Sequence, residues 1–400
     1  MVKNKGISSL SAGGIPITVA APPKGARPER TTTMDFTFHM PVQVFSGNGC
    51  VAREGARLRA LGRRCLVMTG GQSAQKNGAL SELLDVLEAE GVNPTVYPGV
   101  GANPALSQCQ VAAYTAETCR AEFVVGVGGG SVMDAAKAAA WLAGNHSTMG
   151  WELMEGSLRR PPLPLVLIGT TAGTGSEVSA VSVLTMDDGR KRSVTHPHCY
   201  ARIAFADPRY THTLPRGATV STALDAFCHA AEGWFAPACG ALPTAFAERA
   251  LPMLAGGLAF LADSGDLPGP ALREELYYGS LWAGMVLNAC GTAFPHPMGY
   301  VLTEDFGIPH GMACAAFLPA FLERGERFAP ERAARLYALC GGKDRLESVL
   351  NILIRPEVSM TDPQVDGYAA RWKTLKNFER TPGGYSAEEA AALLRRLFVR

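Results

Sequence analysis

The sequence lacks the features that would place it in a membrane, on nucleic acid or in a disulfide framework. No apolar run reaches the length of about 18 residues from which a spanning helix is read, because Gly, Pro or charge interrupts the longest ones. Charge of one sign is missing too: Lys and Arg (37) balance Asp and Glu (36), leaving a net charge of +1. With no basic run interleaved with aromatics, neither a nucleic-acid partner nor an anionic membrane surface is suggested. The ten cysteines are scattered without a CxxC pair. A chain this long does not need disulfide staples, so they read as reduced thiols of a cytoplasmic protein. No internal repeat is found.

What is present suits a soluble globular protein. At 400 residues and 47 % hydrophobic content the chain can form two domains with separate cores, and 44 Gly with 27 Pro imply many tight connections. The first thirty or so residues are rich in Gly, Pro, Ser and Thr, and Gly13, Gly14 and Pro16 break any signal-type apolar region. Residues 1–34 are expected to be a disordered extension, or to follow from an upstream start codon, with the fold beginning near Met34 and Asp35.

From Phe36 to about Pro208 short β-branched runs alternate with helical patterns. Strands are expected over residues 64–69, 92–97, 122–127 and 163–169, and helices over 78–89, 105–119 and 134–142. Such alternation implies a parallel, doubly wound sheet, hence an α/β domain over 35–210. After about Thr211 helical patterns take over, at 218–235, 244–261, 271–287, 310–324, 329–339, 344–353, 362–375 and 386–396. Residues 211–400 are therefore expected to form an all-α domain, with ligands in the cleft between the halves.

The run ending at Val127 leads into Gly128-Gly129-Gly130-Ser131 and then an Ala-rich helix. Three glycines permit positive φ and close approach of a pyrophosphate, and Ser131 can cap the helix while its free N–H groups attract an anion. A plain strand-to-helix turn would also use glycines; the position between a buried strand and a helix favours a dinucleotide phosphate. A second polar loop, Thr170-Thr171-Ala172-Gly173-Thr174-Gly175-Ser176-Glu177, fits a ribose or a nicotinamide carboxamide, or a simple Thr/Gly loop. Asn103-Pro104 is a third candidate cofactor edge.

Asp225 and His229 stand at i and i+4 of a helical pattern, which puts a carboxylate and an imidazole one turn apart on one face. Two further histidines, His296 and His310, each follow a proline. One carboxylate with three imidazoles suits Fe2+, Zn2+, Co2+ or Ni2+ better than Mg2+ or Ca2+. Each histidine alone reads as structural, as His39, His146, His196, His198 and His212 do; the case for a metal is their occurrence together with the dinucleotide turn.

With these motifs in place the sequence resembles the iron-containing (group III) alcohol dehydrogenase family. The resemblance is carried by Gly128-Gly129-Gly130-Ser131-x-x-Asp134-x-x-Lys137, the 170–177 loop, Asp225-Ala226-Phe227-Cys228-His229-Ala230-x-Glu232, and His296 with Pro309-His310-Gly311, and fades after about Arg324. It implies a divalent ion, Fe2+ or Zn2+, on Asp225, His229, His296 and His310, with His296 and His310 at the family's spacing of 14 residues. It also implies a nicotinamide cofactor held by Gly70, Gly71, Ser73, Asn103, Gly128, Gly129, Gly130, Ser131, Asp134, Thr170, Thr171 and Thr174, with Lys191 added by family alignment. The implied reaction is hydride transfer between nicotinamide C4 and a small alcohol or aldehyde, in a homodimer or higher homo-oligomer.

Two positions depart from the pattern. Tyr300 stands where many members have a histidine for proton relay or substrate contact, and a phenol of ordinary pKa near 10 is a poor base. After the first strand, Thr69-Gly70-Gly71-Gln72-Ser73 with Lys76 replaces the carboxylate that NAD-preferring relatives often use, which favours NADP over NAD. The competing readings are a dehydroquinate-synthase-like lyase, which would need a Glu ligand and a basic substrate site, and a non-catalytic scaffold that keeps the fold.

Overall fold

The computed structural model describes residues 36–147 and 149–399, so the extension expected over 1–34 lies outside the described residues. Eight strands are described: β1 (Gln43–Ser46), β2 (Arg64–Thr69), β3 (Asn93–Tyr97), β4 (Phe123–Gly128), β5 (Leu165–Gly169), β6 (Val181–Thr185), β7 (Lys191–Thr195) and β8 (Ile203–Ala206). Six of them form one sheet in the order β1-β8-β5-β4-β2-β3, every pairing parallel. The remaining two, β6 and β7, pair antiparallel as a separate hairpin.

The longer helices among these strands are α1 (Ala79–Ala89), α2 (Leu106–Thr118) and α3 (Gly130–Gly144). Side chains alternate across a strand, and here the alternation divides two cores. Leu66, Met68, Val124 and Leu167 face α2 and α3, where Ala112, Ala139 and Trp141 complete one core. Cys65, Val67, Val125, Val166 and Ile168 face the other side, where Leu83 and Leu87 of α1 complete the second. Burial on both faces is why these strands read as unbroken apolar runs.

The chain runs from β2 outward to β3 and then back across to β4, on the other side of β2. The strand order therefore reverses between β2 and β4, and the crevice beyond their carboxyl ends is where such sheets bind ligands.

Beyond β8 the chain is helical: α4 (Arg216–Phe235), α5 (Ala241–Asp263), α6 (Pro270–Cys290), α7 (Pro295–Phe306), α8 (His310–Ala315), α9 (Leu318–Phe328), α10 (Pro330–Leu339), α11 (Lys343–Leu353), α12 (Asp362–Arg371) and α13 (Ala387–Phe398). They share one core with α4 at its centre. α5 is long and apolar enough to cross a membrane by length and composition, yet Ala247, Leu251, Leu254, Leu258 and Leu261 are buried inside that core.

Three differences from the sequence reading have local causes. The four-residue strands β1 and β8 are too short to show a period, and β6 and β7 follow a loop read only for its polar residues. The expected helix over 310–324 is two helices, α8 and α9, because Pro319 in the first turn of α9 lacks the N–H and the space to continue α8. α7, not expected at all, hides two prolines, Pro295 and Pro297, in its first turn, where no N–H is needed.

Candidate functional site

The glycine turn after β4 packs directly against the loop after β5. A Cβ at Gly130 would lie 2.4 Å from Thr174 Cγ2, and one at Gly129 would lie 3.0 Å from Thr171 Cγ2. Neither these two glycines nor Gly128 has a positive φ, so the triplet serves close approach rather than left-handed backbone, against the sequence expectation. α3 begins at Gly130, which directs its unpaired N–H groups toward this turn. Ser131 Oγ accepts the Asn103 N–H at 3.2 Å, with Asn103 held at φ +52°. At the end of β2, Gly70 is wedged against the Val100 carbonyl oxygen, 2.9 Å from where its Cβ would lie, while Gly71 and Ser73 are exposed. The turns after β2, β3, β4 and β5 thus lie side by side at the carboxyl end of the sheet.

Asp134, expected among the cofactor contacts, is engaged inside the protein instead. Its carboxylate accepts from Ser176 Oγ at 2.6 Å and from the Val183 N–H at 2.9 Å. Lys137, one turn later and fully buried, donates to Ser176 Oγ at 2.7 Å and to the Val181 carbonyl at 2.6 Å, 3.6 Å from Asp134. Together they clamp α3 to β6 and to the loop that precedes it. The sequence reading quoted Lys137 within its motif and gave it no role.

The loop after β5 also reaches the helical half. A Cβ at Gly173 would lie 2.7 Å from Thr222 Cβ on α4, one turn before Asp225. On that helix Asp225, His229 and Glu232 share a buried face. Asp225 Oδ1 lies 3.9 Å from His229 Nε2, 3.7 Å from His296 Nε2 and 3.7 Å from His310 Nε2. The His229 and His296 rings stack at 4.7 Å. His296 comes from the first turn of α7 and His310 opens α8. Gly311 makes this possible: its Cβ would stand 1.8 Å from the Ser221 carbonyl oxygen, so only glycine lets α8 approach α4 so closely.

Glu232 supplies what the sequence reading missed. It is fully buried, accepts the Ala293 N–H at 2.7 Å and meets His296 Nδ1 at 2.6 Å. That contact fixes the ring with Nε2 turned toward Asp225, the arrangement by which a second carboxylate orients a metal-binding imidazole. The available signal was its position seven residues after Asp225 on the same helical face.

Electrostatics separates the three imidazoles. Burial pushes His229 down to about 4 and His310 down to about 3, so both are neutral donors at pH 7. Burial also opposes a charge on His296, but Glu232 and Asp225 outweigh it and raise that group to about 10. Asp225 Oδ1 and His296 Nε2 are buried without any hydrogen-bond partner. Leaving such atoms unpaired is costly, and a divalent cation among them would satisfy both. The residues present therefore fit a metal ion.

Around this group lie three further side chains. Cys314, one turn after His310, brings Sγ within 3.6 Å of His310 Nδ1, and its donor atom clusters with those of Asp225, His296 and His310 within 4.8 Å. Burial holds it as a neutral thiol, which makes it the weaker donor of the set beside the aspartate and the imidazoles. The Tyr300 ring is 5.6 Å from that of His310, and burial raises its pKa, so the phenol stays protonated and is no base at neutral pH. Lys191 holds Nζ 5.6 Å over the Tyr300 ring, which places it at the metal end of the crevice. Of the histidines left aside, His196 and His198 pack on Trp141, and His39, His146 and His212 lie outside this cluster.

Comparison with known proteins agrees with this geometry. The iron-containing alcohol dehydrogenase profile matches residues 41–208, and the profile of that family's C-terminal region matches residues 219–353. A probable alcohol dehydrogenase of Escherichia coli, EutG, is 30 % identical over 302 residues, 75 % of this chain and 76 % of that protein. The crystal structure of an iron-containing alcohol dehydrogenase from Thermotoga maritima superposes with a TM-score of 0.85 at 31 % identity, covering 91 % of this chain and 99 % of that one. Sulfoacetaldehyde reductase from Bifidobacterium kashiwanohense, solved with NAD+, gives a TM-score of 0.81 at 26 % identity, over 91 % and 99 % of the two chains. The chain belongs to the iron-containing alcohol dehydrogenase family and is an oxidoreductase of the alcohol dehydrogenase type. Membership implies a divalent metal, a nicotinamide cofactor, and alcohols or aldehydes as substrates.

Proposed function

We propose that this protein is a metal-dependent NAD(P) alcohol dehydrogenase and aldehyde reductase acting on a small alcohol or aldehyde, with Asp225, His229, His296 and His310 as the ligands of Fe2+ or Zn2+. The observation that carries it is the convergence of Asp225 Oδ1 and three Nε2 atoms at 3.7 to 3.9 Å, with two of these atoms otherwise unpaired. When bound, the ion supplies Lewis acidity to the substrate oxygen, and the nicotinamide supplies or accepts the hydride. The protein's part is positioning. Glu232 aims His296, the 170–174 loop links the phosphate turn to α4, and α3 offers its N-terminus to the pyrophosphate. Tyr300, held protonated, can donate a hydrogen bond to substrate, and Lys191 stands beside it. Elemental analysis of fresh protein followed by nicotinamide oxidation with a panel of short aldehydes tests this. Metal-loaded protein that binds cofactor and turns over none of them sinks it.

NADP(H) is preferred over NAD(H) in this reading. The segment after β2 presents Gly71, Ser73 and Lys76 to solvent and no carboxylate, which leaves room and a positive charge for a 2′-phosphate. The kcat/KM ratio for NADPH against NADH reads the preference directly. Lys76→Ala should lower the NADPH value by roughly two- to fivefold, the size of one exposed ion pair, and leave NADH unaffected. Equal or better kcat/KM with NADH would refute the preference. A homodimer or higher homo-oligomer is part of the same reading and is measured by light scattering. Ten free cysteines, nine of them buried, support a reducing, cytoplasmic setting.

A further inference from the structure

The β6–β7 hairpin stands apart from the six-stranded sheet, and two strands alone are marginally stable, so its place depends on what ties it down. β6 is tied by α3: Lys137 donates to the Val181 carbonyl, and the Val183 N–H donates to Asp134. β7 is tied from the helical half. The N–H of Lys191, its first residue, donates to Glu304 Oε1 of α7 at 2.7 Å. Glu304 Oε2 accepts from Arg371 Nη2 of α12 at 2.6 Å, and the Glu304 side chain is only 4 % exposed. Beside it, the Tyr368 hydroxyl of α12 donates to Asp305 Oδ2 at 2.6 Å.

Nothing in α7 itself calls for this carboxylate. It lies in the last turn, where the helix dipole disfavours a negative charge, and burial disfavours it further. The Arg371 guanidinium and the Lys191 N–H offset both effects. Arg371 follows residues 219–353, which match the family profile, so this partner comes from the part of the chain where the resemblance has faded.

The consequence falls on the site. His296, Tyr300 and Glu304 recur at every fourth residue of α7 and follow one another along one side of it. The Lys191 backbone is held at the Glu304 end, while its Nζ stands 5.6 Å over the Tyr300 ring, one turn closer to His296. One carboxylate thus sets where the ammonium of β7 meets the helix that carries His296.

We propose that Glu304 is a positioning residue for the cofactor: anchored by Arg371, it holds the Lys191 N–H and so fixes the Lys191 ammonium at the metal end of the crevice. This rests on the reading of Lys191 as a cofactor contact. Glu304 itself touches neither cofactor nor substrate. Its loss therefore acts only through Lys191, and the two losses do not add.

Fluorescence titration of the full-length, metal-loaded protein with NADPH and with NADH gives dissociation constants without turnover. Lys191→Ala should raise the constant by about tenfold, the size of one hydrogen bond from a charged group, and Glu304→Ala by about fivefold. The double variant should bind no more weakly than Lys191→Ala alone. Glu304→Gln keeps an oxygen for the Lys191 N–H and should restore most of the affinity. Tyr368→Phe loosens α12 from α7 without removing Glu304, so it should lower the unfolding temperature and leave the constant unchanged. Hydrogen exchange should find the Lys191 amide protected in the unmutated protein. Free exchange of that amide overturns the proposal without any variant. Additive losses in the double variant, full affinity in Glu304→Ala, or an equal loss in Tyr368→Phe overturn it as well. Unchanged affinity in Lys191→Ala overturns the reading of Lys191 as a cofactor contact, and the proposal with it.

Discussion

At the residue scale the site depends on how one imidazole is held. Glu232 takes His296 Nδ1 at 2.6 Å while the opposite nitrogen faces Asp225 at 3.7 Å. Glu232→Gln preserves the shape and removes the charge, and metal affinity should fall by about 10- to 100-fold, the usual effect of losing such a carboxylate. A chelator-competition titration reads that change, and unchanged affinity would show that the contact is only structural. The same pair dictates a proton count. His296 is raised to about 10 against an ordinary 6.5, so in metal-free protein its protonated form contributes stability fully below about pH 6.5, and this is lost as pH rises through about 10. His229 and His310 are neutral throughout that window. Metal uptake at pH 7.5 should therefore release about one proton, and not three, since the ligands must be deprotonated to bind. Calorimetry in two buffers of different ionisation enthalpy counts it.

At the element scale, close approach decides whether the ligands meet. α8 has only six residues and is placed by Gly311 against α4, where a Cβ would fall 1.8 Å from a backbone oxygen. Gly311→Ala must push the two helices apart, and the expected outcome is folded protein, by circular dichroism, with its bound metal lost. Lys137 acts likewise for the cofactor end. Lys137→Met would leave the Asp134 carboxylate, one turn earlier on α3, without its cation, and breaking such a buried pair costs about 3–5 kcal/mol, read as a lowered denaturant midpoint. These close contacts also explain what was legible in the sequence. β2, β4 and β5 were visible because burial on both faces writes an apolar run, and Asp225 with His229 because i,i+4 spacing needs only one helix. His296 and His310 join them only through their occurrence together with the dinucleotide turn and through the family resemblance, since the prolines around them mask α7 and no periodicity links them to α4. Cys314, Lys137 and the inward turn of Asp134 depend on tertiary packing that no local pattern records.

At the scale of the whole molecule, the proposed ligands come from three separate stretches of chain: α4, the start of α7 and the start of α8. An ion held by all of them would act as a cross-link within the helical half, and its binding energy would add to folding because the unfolded chain offers no such site. Free ion at a thousand times its dissociation constant adds about 4 kcal/mol of stability, so stripping the metal should lower the unfolding temperature by several degrees. Returning Zn2+ or Fe2+ should restore it in a concentration-dependent way. The effect should vanish in Asp225→Ala, which lacks the one carboxylate that all three imidazoles approach, and persist in His146→Ala, whose exposed ring lies outside the cluster. Loss of metal confirmed by elemental analysis, with no change in unfolding temperature, would mean that the helices are held by packing alone. The four side chains would then be joined by the fold rather than by an ion.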